Sequence, residues 1–186
     1  AVRTDEPGGA RRLVALRWGL VPHWAKDAAI GGRMINARAE TVAEKPSFRV
    51  AFKKRRCLVP TDAFYEWRTE DGKKQPFRIG MQGGGVFAMA GLWEHWAGEG
   101  SEVIESVTII TTEANEKLRP IHPRMPVILN VADYGTWLEA GEDTGAALAL
   151  LKPHAPDPMA FYRVGTRVNS VANDDAGCIA PLNRIS

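Results

Sequence analysis

Asp71-Gly72 sits between two stretches, Ala63 to Arg68 and Gln75 to Ile79, that both read as β-strands. A two-residue loop of this kind joins its flanking strands as an antiparallel hairpin. The rest of the chain repeats the pattern of short β-type runs punctuated by turns. Gly83-Gly84-Gly85 turns the chain into the apolar run Val86 to Trp93, and Glu102 to Thr111 is rich in β-branched residues. Arg12 to Trp18, Arg56 to Pro60 and Met159 to Val164 read as further strands. Helical signals are few and short. Lys45-Pro46-Ser47 opens one helix, in which Phe48 and Phe52 share a face. Asn130 is placed to cap a second running to Glu139 and closed by Gly141, and Asp143 or Thr144 to cap a third running to Leu151. Val168 to Ile179 reads mostly as loop. With no repeat, low-complexity tract or linker, residues 1–186 are expected to form one α+β domain. Its core is expected to be a curved or barrel-like, mainly antiparallel sheet with a few short helices.

Composition narrows the function classes. Of 186 residues, 45% are hydrophobic and 25% charged, which suits a globular fold with a sizeable core rather than disorder. No apolar run approaches bilayer length and no signal-peptide pattern opens the chain, so a cytosolic, soluble protein without a membrane partner is expected. Cys57 and Cys178 are too few for a disulfide framework and read as small buried hydrophobes. The histidines at 23, 95, 122 and 154 lack metal-ligand spacing, so no structural metal is expected. The net charge of +2 does not by itself mark a nucleic-acid binder. The first third is nevertheless basic, with Arg11, Arg12, Arg17, Arg33, Arg38, Arg49 and the run Lys53-Lys54-Arg55-Arg56. A basic face attracts phosphates, although the run alone reads equally well as a solvated helix end.

Four islands carry residues able to do chemistry. In Trp18-Gly19-Leu20-Val21-Pro22-His23-Trp24 the two indoles are candidates to stack on unpaired bases. Trp24, beyond the proline, is the better platform, and Trp18 reads as core. In Asn36-Ala37-Arg38-Ala39-Glu40 an extended backbone turns residues 36, 38 and 40 the same way, as a site or as a solvated face. In Phe64-Tyr65-Glu66-Trp67 a carboxylate lies among aromatics, where desolvation raises its pKa and prepares it to exchange protons. A buried ion pair of Glu66 with Arg38 or Arg124 is the structural alternative. In Ile121-His122-Pro123-Arg124-Met125-Pro126 two prolines stiffen the backbone around a histidine, the natural proton shuttle at neutral pH.

In this order, Trp-Gly-Leu-Val-Pro-x-Trp, Asn-Ala-Arg-x-Glu, the aromatic-Glu-Trp strand and Ile-His-x-Arg-Met-Pro resemble the SOS-response-associated peptidase family. The closing stretch Val168-Asn169 through Cys178-Ile179-Ala180-Pro181-Leu182 is similar to that family's C-terminus, so the resemblance covers essentially the whole chain. It implies a barrel-like α+β fold and a basic groove for single-stranded DNA. It also implies an N-terminal cysteine, freed by autocatalytic removal of the initiator Met, that captures the ring-opened aldehyde of an abasic site as a thiazolidine. Only an N-terminal cysteine offers an amine and a thiol on adjacent carbons, and its amine, with a reference pKa of about 7.7–8.0, is partly neutral at physiological pH. Carried over residue by residue, Asn36, Glu66 and His122 would be catalytic. Asn36 would hydrogen-bond near the cysteine and the lesion, Glu66 would move protons, and His122 would assist ring opening. Arg38 and Arg124 would hold the flanking phosphates, and Trp24 would lie along the DNA. The resemblance implies no metal and no organic cofactor. The expected partner is single-stranded DNA containing abasic sites, met by a monomer in the bacterial cytosol and on the nucleoid when bound.

The sequence departs from the family's Met-Cys-Gly-Arg opening and its Asn-x-Ala-Pro segment, neither of which it contains. A family N-terminus is therefore expected to precede Ala1, and the 186-residue chain alone is expected not to form the thiazolidine. Ala63-Phe64 stands where the family commonly has Gly and Trp, a conservative change. Two other readings compete: a conventional peptidase using Glu66 and His122 on external peptides, and a non-catalytic module that binds single-stranded DNA.

Overall fold

The structure is a computed structural model that describes residues 1–6, 8–98, 103–139, 141 and 143–182. The first strands are β1 (Val2–Arg3), β2 (Arg12–Leu13), β3 (Arg17–Trp18) and β4 (Asn36–Arg38). After helix α1 (Arg49–Lys54) come β5 (Arg56–Thr61), β6 (Ala63–Glu70), β7 (Lys73–Met81), β8 (Phe87–Ala97) and β9 (Val103–Glu113). Short strands β10 (Arg124–Pro126) and β11 (Ile128–Leu129) precede α2 (Tyr134–Leu138) and α3 (Gly145–Ala149), and β12 (Met159–Arg163) follows. The α+β class, the mainly antiparallel pairing and the short helices are as the sequence predicts. The chain packs as two compact units, one of Ala1–Pro60, Ala88–Glu113 and Pro126–His154, the other of Thr61–Phe87, Ala114–Met125 and the chain from Ala155.

In the larger unit β9, β8, β5, β1 and β2 lie side by side, and β11 pairs antiparallel with β8. Strands β3 and β4 run parallel to β9 along its other edge, so the sheet is mixed. Phe52, Leu20, Leu92, Ile110 and Trp137 are fully buried in its core. Phe48 and Phe52 share the buried side of the first helical turn, as their spacing predicts. The basic run divides here. Arg56 is buried and donates to the carbonyls of Trp137 (2.6 Å), Phe52 (2.7 Å) and Glu139, so it is a core strut rather than part of a solvated helix end.

The smaller unit is built on an antiparallel sheet in the order β12-β7-β6. The predicted hairpin is present, with Glu70 opposite Lys73. Asp71 (φ 49°) and Gly72 (φ 75°) both take positive φ, the geometry that matches the twist of the flanking strands.

Three local expectations change. Arg12 to Trp18 is two short strands with different partners, because β2 pairs with β1 and β3 with β9. The Asn130 helix begins with a 3-10 turn at Val131–Asp133. Asn130 spends its side-chain amide on the Asp133 carboxylate (3.2 Å) instead of capping a backbone N–H. Before α3 it is Asp143 that accepts the Gly145 N–H (2.9 Å), and the helix stops at Ala149. Glu102, the expected start of β9, lies outside the described residues.

Candidate active site and nucleic-acid interface

Glu66 lies on β6, the edge strand of the three-stranded sheet, opposite Phe77. Its register follows from the hairpin, since a one-residue slip would exchange it with Tyr65 or Trp67. His122 reaches the same place from an irregular segment. Its backbone N–H bonds the Leu118 carbonyl (3.0 Å), and buried Ile121 and Met125 anchor the chain on either side. The stiff His-Pro-Arg-Met-Pro run thus presents His122 from a fixed backbone.

His122 Nδ1 stands 3.6 Å from Glu66 Oε2, with side-chain exposures of 40% and 24%. The same nitrogen lies 3.0 Å from the Arg124 carbonyl oxygen and 3.2 Å from the Arg124 N–H. Protonated, Nδ1 donates to the carbonyl and faces the carboxylate; unprotonated, it accepts the N–H. The backbone therefore accommodates both states of one ring nitrogen, which suits a group that takes up and releases a proton. Burial pushes the Glu66 carboxyl above its ordinary value, and the facing His122 and the Trp67 N–H offset part of that.

The pair opens on a cavity of about 470 Å³ lined by Glu66, Trp67, Lys74, His122 and Asn169. The Trp67 indole N–H donates to Asn169 Oδ1 (2.8 Å), which fixes the ring at the cavity wall. Sequence reasoning gave no role to Trp67, Lys74 or Asn169. Trp67 and Asn169 belong to stretches that carry the family resemblance, but Lys74 sits beside a hairpin turn with no such signal, and only the fold brings the three to one cavity. Among the described residues no group of His, Cys, Asp and Glu forms a metal cluster.

Asn36, Arg38 and Trp24 belong to the larger unit. Along β4 the exposed side chains of Asn36 and Arg38 flank buried Ala37, so the alternation read from the sequence holds. Trp24 is 49% exposed. Its neighbours are both held by β8. His23 Nδ1 meets the buried Glu94 carboxylate at 3.2 Å, and the Trp96 indole N–H donates to the Ala25 carbonyl (2.7 Å). Glu94 also pairs with Arg55 (2.8 Å). Trp18 is not core: it is 58% exposed, because β3 runs at the edge of the sheet.

Residues 1–171 match the profile of the family described as SOS response associated peptidase (SRAP). The chain belongs to the SRAP family. Relatives within it include the abasic site processing protein YoaM of Bacillus subtilis, 47% identical over 180 residues that cover 96% of this chain and 79% of that protein. The abasic site processing protein HMCES of Gallus gallus is 34% identical, over 97% of this chain and 61% of its own longer length. A crystal structure of a Bacteroides thetaiotaomicron protein shares the SRAP fold with a TM-score of 0.85 and 31% identity, covering 97% of this chain and 80% of that one.

Proposed function

We propose that this protein captures abasic sites in single-stranded DNA as a covalent adduct, with Glu66 and His122 as its proton-transfer pair. The observation that carries the reading is that pair: a half-buried carboxylate with a raised pKa, 3.6 Å from a rigidly presented imidazole, at an open cavity. SRAP relatives named for abasic-site processing supply the substrate class. An abasic deoxyribose is mainly a closed hemiacetal. Opening it moves the proton of the anomeric hydroxyl away while the ring oxygen gains one, the two-ended transfer that an acid and a base side by side perform. The free aldehyde then condenses with an amine, losing water to give an imine, and a thiol adds to the imine carbon to close a thiazolidine.

The nucleophile in this reading is the N-terminal cysteine that the family resemblance implies, freed by self-removal of the initiator Met. Cys57 and Cys178 do not qualify. Both are buried within the chain, neither carries a free α-amine, and burial pushes the Cys57 thiol up to about 12. Asn36 hydrogen-bonds near the lesion, Arg38 and Arg124 hold flanking phosphates, and Trp24 lies along the strand. The test is a denaturing gel of an abasic single-stranded oligonucleotide incubated with the protein preceded by a family N-terminal region, from Met-Cys-Gly-Arg through the Asn-x-Ala-Pro segment. A slower band that survives denaturation is expected. Its absence, in a preparation whose Met removal is confirmed by mass spectrometry, removes the capture reading.

A further inference from the structure

Strands β3 and β4 follow one another along the same edge of β9. Their parallel registers set Trp18 beside Val107, Asn36 beside Ile109 and Arg38 beside Thr111. Val107, Ile109 and Thr111 are alternate residues of one strand, so their partners share one face of the sheet. Trp18, Asn36 and Arg38 therefore form a row, with neighbours about 7 Å apart at the strand rise. An indole stands at one end, an amide in the middle and a guanidinium at the other end.

Trp18 is exposed yet held. Its indole N–H donates to the Ile35 carbonyl (2.9 Å), and Ile35 itself is an exposed hydrophobe. The backbone beneath is locked as well. The Gly19 N–H bonds the Val107 carbonyl (2.9 Å) and the Leu20 N–H bonds the Met34 carbonyl (3.1 Å). Gly19 takes φ +112°, and a Cβ there would meet the Gly31 carbonyl oxygen at 2.6 Å. A large aromatic ring fixed in this way and left open to water is a binding surface whose ordering is complete before any ligand arrives.

We propose that Trp18 is a stacking platform for the nucleobase next to the abasic site, on the side of the lesion away from the phosphate held by Arg38. The inference rests on the abasic-site reading above and adds a specificity determinant to it. With Asn36 at the lesion, the ring of Trp18 occupies the neighbouring position in the row. An unpaired base stacks on an aromatic face whatever its identity. The protein thereby requires a base beside the gap without selecting its sequence.

The experiment measures fluorescence-anisotropy affinities for single-stranded oligonucleotides carrying one tetrahydrofuran abasic analogue, which binds without crosslinking. In a second set the nucleobase on the 5′ or 3′ side of the lesion is also replaced by tetrahydrofuran. Trp18→Ala is expected to weaken binding to the single-lesion strand at least about fivefold, the lower end for one base on one ring. Trp18→Phe is expected to recover most of that. Removing one of the two flanking bases is expected to weaken the wild type and abolish the difference between it and Trp18→Ala. Equal loss on every oligonucleotide, or no loss on any, overturns the assignment while leaving the parent reading intact. A wild-type protein that binds none of the strands overturns both.

Discussion

At the scale of single residues, Glu66 carries the most consequence, because its environment sets its charge. A carboxyl whose folded-state pKa is raised binds a proton more tightly folded than unfolded. Its stabilising contribution is complete below the unfolded pKa, about 4.3, and is lost as pH rises through the folded value. Glu66→Gln keeps the shape and removes this titration. The melting temperature of Glu66→Gln relative to wild type is therefore expected to rise with pH across that window and then level off. A difference that stays constant with pH, measured by calorimetry, would show that burial does not shift Glu66. His122→Ala removes the charge that favours the carboxylate, so it is expected to move the Glu66 titration to higher pH, as followed by carboxyl carbon NMR. These residues were legible before the fold was known because a carboxylate among aromatics and a histidine between prolines are unusual combinations. Trp18 was not legible, since burial at a sheet edge depends on strand order, which a seven-residue alternation does not encode.

At the scale of elements, the turns and the short helix read clearly and the strand partners did not. Asp71-Gly72 specified its hairpin because only a few residue types accept two successive positive φ values. Arg12 to Trp18 misled because two short strands in tandem give the same period-two signal as one. The basic run misled for a different reason: Arg56 begins β5, where the chain has already turned inward from α1. Its guanidinium serves three backbone carbonyls around α1 and α2, and Trp137 completes the cluster by donating its indole N–H to the Cys57 carbonyl (2.9 Å). Arg56→Ala leaves those carbonyls without donors and is expected to cost about 3 kcal/mol or more in urea unfolding. Lys54→Ala, at the exposed residue two positions earlier in the run, is expected to change stability by no more than about 0.5 kcal/mol.

At the scale of the whole molecule, the net charge of +2 is too small to drive DNA binding by bulk attraction. In the proposed reading, affinity then depends on a few discrete phosphate contacts. With Arg38 and Arg124 as the two proposed phosphate contacts, the logarithm of affinity is expected to fall against the logarithm of salt concentration with a slope of about −1.4. Each Arg→Ala substitution is expected to reduce the magnitude of that slope by about 0.7. A steep slope that neither substitution alters would place the phosphate contacts elsewhere. The proposed capture is a chemical step, and single-turnover crosslinking reads it without the contribution of binding. The protein carrying the family's N-terminal cysteine segment would be mixed with abasic single-stranded DNA as wild type, Glu66→Gln and His122→Ala. Loss of general acid–base catalysis predicts that each substitution slows adduct formation about 10²-fold or more, while affinity for the tetrahydrofuran strand stays within about threefold. Adduct formation at wild-type rates in both variants would exclude Glu66 and His122 as the proton-transfer pair.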